Sequence, residues 1–159
     1  MARLTPSAAN LQPLKYIISC EERTNSLIFP CLKWAGYLNE WAGPSEGERP
    51  SAYILLLHDT NISPKIDCDH GIAAQTIMLG AIEAGLGGCM IGSVDKEQLR
   101  SRLKIATSLE IKLVLALGKP KEHVMLEVIE DNDVKYWRDK NKVHHVPKRP
   151  LDEILVPID

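Results

Sequence analysis

The chain has 159 residues, which fits one domain, and 45% of them are apolar, enough to fill a core of that size. A net charge of −2 leaves no basic field for nucleic acid and no acidic tail. No apolar run approaches the roughly 18 residues a membrane helix needs. The opening Met-Ala-Arg-Leu-Thr-Pro has no signal-peptide core, and Cys20, Cys31, Cys68 and Cys89 form no C-x-x-C pair. These features predict a cytoplasmic protein with reduced thiols, no structural zinc and no redox pair.

In chain order, Thr5 to Gln12 reads as a polar loop opened by Pro6 and followed by Pro13. Lys15 to Cys20 is aromatic and β-branched and predicts a strand. Leu27, Trp34, Leu38 and Trp41 recur near helical spacing and predict a helix over 24–41, interrupted early by Pro30. Ala42 to Ser51 collects Gly, Pro, Ser and charge, as surface loops do. Tyr53 to Leu57 is continuously apolar and predicts a central strand buried on both faces.

A helix follows, with Asp67 or Asp69 as its N-cap and Gly85 as its left-handed C-cap. Ala73, Ile77, Gly80, Ala81 and Ala84 give it a face of small residues that would admit another helix closely, as core or as subunit contact. Gly88 to Ile91 predicts a short strand, 95–103 a short helix, and Ile111 to Leu117 a second buried strand. Residues 121–143 read as charged and irregular, and 154–158 as a terminal strand which Pro157 confines to a sheet edge. The class is α+β or α/β, a small sheet covered by helices.

Few clusters carry chemistry by themselves. Gly85-Leu86-Gly87-Gly88 closes a helix instead of opening one, so it is no dinucleotide fingerprint. Asp67-Cys68-Asp69-His70 is better read as helix capping than as a metal site, and His144-His145 as solvated or packed imidazoles. No G-x-S-x-G context supports a serine nucleophile. Pro147-Lys148-Arg149-Pro150 holds two cations on a stiff segment suited to a phosphate, with ordinary surface charge as the alternative. Ser7, Asn10 and Gln12 offer a hydroxyl and two amides suited to a hydrogen-bonding heterocycle or polyol, or else simply cap a turn.

Taken in order, "TPSAANLQPLKYII", "DCDHGIAAQTIMLGAIEAGLGGCMIGSVD", "EIKLVLALGKPKE" and "HHVPKRPLDEIL" resemble the FMN-dependent nitroreductase family over nearly the whole chain. The resemblance implies an α+β fold with a small mixed or mostly antiparallel sheet between helices. It implies an intertwined homodimer with FMN at the interface and the C-terminal strand added to the partner's sheet. Carried over residue by residue, Pro6, Ser7 and Asn10 would contact the flavin. Ile91, Gly92 and Ser93 would pass its ring, and Lys148 and Arg149 would meet its phosphate.

Relatives of this kind carry one or two helices before the P-S-x-x-N loop, with an Arg-Ser-x-Arg motif. This sequence begins after that point, and Met1 to Leu4 looks like the tail of such a helix. The expectation is weaker FMN binding, a lower reduction potential and some uncovered apolar surface. The implied activity is NAD(P)H oxidation with reduction of a nitroaromatic or quinone-like acceptor, by ping-pong exchange at one site and without a side-chain acid or base. The alternative is a flavin-binding or flavin-free protein on the same fold. Cys89 is read as a small buried residue, not a catalytic thiol.

Overall fold

The computed structural model describes residues 1–158. The chain comprises two compact units, Met1–Trp34 with Pro44–Pro120, and Ala35–Gly43 with Lys121–Asp159.

The first unit is built on a four-stranded sheet, β1 (Leu14–Ser19), β2 (Ala52–Asp59), β3 (Gly87–Ile91) and β4 (Leu109–Gly118), in the order β1-β2-β4-β3. Every neighbouring pair is antiparallel. The apolar run of β2 makes it central: Tyr53, Leu55 and Leu57 face one side and Ile54 and Leu56 the other. On the first side they pack with Ile28 of α1 (Glu22–Ile28) and Leu99 of α3 (Lys96–Leu103), and with Cys31, Ile91, Ile111 and Val114. On the second side α2 (Asp69–Glu83) lies on Leu56 and Leu115 through Ala73, Ala74 and Ile77. Each buried Leu or Ile contributes about 1.5–3 kcal/mol before conformational entropy is subtracted.

The second unit holds a three-stranded sheet, β5 (Val124–Val128), β6 (Trp137–Arg138) and β7 (His144–Lys148), in the order β5-β7-β6. β5 runs parallel to β7 and β6 antiparallel to it. A short helix, α4 (Leu151–Ile154), follows Pro150.

The strands at 15–20, 53–57, 88–91 and 111–117 fall within two residues of expectation, the helix after Asp95 within one, and Gly85 has the expected positive φ. Several expectations are corrected. The helix expected over 24–41 ends at Ile28; Phe29–Cys31 forms a 3-10 turn around Pro30, and the chain then extends, because Pro30 cannot donate the next helical hydrogen bond. Of the small-residue face of α2, Ala73 and Ile77 pack on the sheet, Gly80 lies beside Met1, and Ala84 is exposed. The segment read as irregular contains β5 and β6. Within this chain 154–158 forms no strand: Ile154 ends α4 and residues 155–158 join no sheet among the described residues. Cys89 is exposed, because β3 is an edge strand open on its outer side. No described helix is long and apolar enough to cross a membrane.

Candidate functional site

The loop before β1 is held in an unusual backbone conformation. Ala9, Asn10 and Gln12 all have left-handed φ, at 49°, 55° and 53°. For an alanine that conformation costs about 1–2 kcal/mol, so the surroundings must impose it. Three hydrogen bonds do so. The Ser7 hydroxyl donates to Asp69 Oδ2 at 2.5 Å, the Ala8 amide donates to Asp69 Oδ1 at 3.2 Å, and the Gln12 amide donates to Ser7 Oγ at 2.8 Å. The Gln12 carboxamide closes the loop by donating to the Asn10 carbonyl at 3.1 Å.

Asp69 is 3% exposed. It stands in the first turn of α2, not at the N-cap, which is Cys68. The Ser7 bond chiefly, with help from the Ala8 amide, holds its carboxyl below the usual aspartate range against the opposing effect of desolvation. A pocket of about 390 Å³ opens beside the loop, lined among others by Arg3, Ser7, Gln12, Tyr16 and Asp69. The Asn10 side chain is exposed and makes no hydrogen bond among the described residues.

At the far edge of the same sheet, β3 ends in Ile91, 6% exposed, and the chain turns through exposed Gly92 and Ser93. The turn is fixed by Lys33, whose amide donates to the Ser93 carbonyl at 3.0 Å, and by a bridge between Leu32 and Val94. Gly92 does not have a left-handed φ. A Cβ there would meet only Leu113 Cδ2 at 3.8 Å, an ordinary contact. Nothing inside this chain demands glycine at 92.

The loop enters β1 beside the C-terminal end of β2, and β3 runs in the same direction as β2, so the turn leaves β3 toward that end of the sheet, starting level with Leu55 and Ile17. Loop and turn are on opposite edges, three strand spacings apart, or roughly 14 Å at the usual interstrand distance.

In the second unit Lys148 closes β7 and is exposed, with no side-chain partner among the described residues. Arg149 is engaged: its Nη1 donates to Asn132 Oδ1 at 3.0 Å and to Glu153 Oε2 at 2.9 Å. In the same unit β6 and β7 build an aromatic and charged cluster. Trp137 stacks on His145 at 5.0 Å and 4°, the Arg138 guanidinium lies over Trp41, and His145 Nδ1 meets Glu127 at 2.6 Å. No group of metal-ligating side chains occurs among the described residues.

The family model described as the nitroreductase family matches residues 1–119, three quarters of the chain. The chain belongs to the nitroreductase family. The match ends one residue short of Pro120, so it covers loop 6–12 and turn 91–93 but not Lys148 and Arg149.

Solved nitroreductases share the fold. A nitroreductase family protein from Clostridium novyi NT is 25% identical, with a TM-score of 0.64, over 76% of this chain and 69% of its own. One from Streptococcus pneumoniae TIGR4 is 19% identical, with a TM-score of 0.65, over 99% and 84%. An FMN-dependent nitroreductase from Clostridium difficile R20291 is 22% identical, with a TM-score of 0.61, over 90% and 80%. No curated protein matches the chain.

Of the nitroreductase residues carried over from sequence, Pro6, Ser7 and Asn10 share one constrained loop, and Ile91, Gly92 and Ser93 share one turn. Sequence reasoning missed Asp69 as the anchor of that loop. Its only signal was an acidic residue opening α2, which helix capping explained equally well.

Proposed function

We propose that this nitroreductase is an FMN-dependent NAD(P)H oxidoreductase that reduces nitroaromatic or quinone-like acceptors, working as a homodimer in the cytoplasm. When bound, FMN supplies the hydride and electron chemistry, with NADH or NADPH as donor. The chain's task is to bind and orient.

The observation that carries the reading is Gly92. Its φ does not call for glycine and the space around its Cβ position is open within the chain, so a missing side chain there suits a flat ring brought against the backbone from outside. Asn10 adds an exposed, uncommitted carboxamide able to donate to and accept from a ring edge. Lys148, with no side-chain partner among the described residues, adds a cation for the phosphate. Arg149 would have to leave Glu153 to join it.

The separation of loop and turn on opposite sheet edges supports the dimer. Two copies offering the loop of one beside the turn of the other would complete a site that one chain leaves divided. Leu79 and Ile82, 55% and 62% exposed on α2, give apolar surface for that contact.

The test is to add FMN to the purified protein and follow flavin fluorescence, then titrate the complex anaerobically with NADH and NADPH. Quenching followed by bleaching of the yellow colour is the expected outcome. Protein that leaves flavin fluorescence unchanged refutes the reading and favours a flavin-free member of the fold.

A further inference from the structure

Ser7 has no proton to offer a ligand. Its single O–H is given to Asp69, and one of its two acceptor positions is filled by the Gln12 amide. Asp69 in turn spends both carboxylate oxygens on the loop, one on Ser7 and one on the Ala8 amide, 62 and 61 positions away in sequence. Between these anchors lie Ala9 and Asn10, both left-handed, and Asn10 points no polar atom of its side chain into the protein. The carboxylate is buried and belongs to a helix whose next turns, through Ala73 and Ala74, are packed on the sheet. The anchor is therefore fixed to the sheet.

We propose that Asp69 is a positioning residue for this loop: through Ser7 and Ala8 it imposes the backbone shape that presents Asn10, and Ser7 serves that clamp instead of contacting the flavin. The proposal rests on the FMN reading for its consequence but not for the clamp. Anchoring a loop in its binding shape raises affinity by removing ordering entropy that binding would otherwise have to supply.

Three variants of the full chain test it: Asp69→Asn, Ser7→Ala and the double variant. Amide hydrogen exchange without flavin reads the clamp. Asp69→Asn should speed exchange at Ala8 and Gln12 by about tenfold or more while amides of β2 and β4 stay as in the parent. Ser7→Ala should do the same, and it remains as the informative variant if Asp69→Asn does not fold, since Ser7 is only half-buried. FMN titration reads the consequence. Each single variant should weaken binding by about tenfold, and the double variant by no more than either alone, because one unit has been broken twice.

Unchanged exchange at Ala8 and Gln12 overturns the clamp. Losses of affinity that multiply in the double variant overturn the assignment of Ser7, since they would mean that its hydroxyl meets the flavin on its own account. A parent protein that binds no FMN defeats the functional reading, while the exchange measurement still decides the clamp.

Discussion

His58 and Glu110 stand directly opposite each other on β2 and β4, with Nδ1 3.3 Å from Oε2. The other face of the imidazole is tied down as well, Nε2 lying 2.8 Å from the Ser63 carbonyl. The ring is 1% exposed, so it pins the turn after β2 to the sheet while Glu110 reaches half out into solvent. His58→Ala would leave the Ser63 carbonyl without its imidazole partner, Glu110 with only Lys112, and a cavity behind, a loss of about 2–4 kcal/mol measurable by urea unfolding.

Glu110 gives the pair a pH signature. The His58 hydrogen bond chiefly, with Lys112 assisting, holds its carboxyl below the ordinary value of 4.5. A depressed carboxylate contributes fully above that value and loses its contribution as pH falls through the folded-state value. Melting temperature followed downward from pH 6 should fall more steeply in the parent than in Glu110→Gln, the two curves converging in acid. Parallel curves would contradict the assignment.

Gly88 and Gly92 should answer alanine in opposite ways. A Cβ at Gly88 would collide with the Ala116 carbonyl oxygen and stand 2.8 Å from Leu117 Cδ2, inside the β3–β4 ladder. Gly88→Ala should lower stability by about 1–3 kcal/mol or more. Gly92→Ala has room and should melt within a degree or two of the parent, a stability change under about 0.5 kcal/mol. Its effect should appear as weaker FMN binding, by about tenfold. A Gly92→Ala protein that binds FMN as the parent does would remove the main support for a ring at that backbone.

Tyr53 is wholly buried and its hydroxyl finds no partner among the described residues. Burial, the largest cause, pushes its phenol up to about 12. Tyr53→Phe removes an unsatisfied polar atom and should be neutral or stabilising by about 1 kcal/mol. The phenol's folded-state value lies above its ordinary 10.0, so the parent loses stability as pH rises beyond that ordinary value and the unfolded chain ionises first. Tyr53→Phe should keep more of its melting temperature between pH 10 and 11 than the parent does.

Lys148→Ala reads the phosphate end of the proposed site. The side chain is exposed, with no partner among the described residues, so stability should hold while FMN affinity falls about tenfold and loses part of its salt dependence. Riboflavin, which lacks the phosphate, should bind parent and variant alike. A variant that weakens riboflavin equally would place Lys148 elsewhere.

The sequence by itself determined the first unit. Continuous apolar runs mark β2 and β4 because strands covered on both faces admit no polar alternation; the helical spacing of Leu27 to Trp41 misled, since Pro30 stops α1 whatever the apolar spacing beyond it. Its ordered motifs also sufficed to point to the nitroreductase family. What only the tertiary structure decided are relations between distant residues. The second sheet escaped notice because Val124 to Val128 and His144 to Lys148 are mostly exposed or polar, and their pairing is a parallel match between residues 20 positions apart that no local pattern records. The role of Asp69 was hidden for the same reason. An aspartate opening a helix reads identically whether it faces water or grips a loop sixty residues earlier, and only folding brings Ser7 to its carboxylate. Local periodicity reports which face of an element is buried; which side chains then meet is set by how the elements pack.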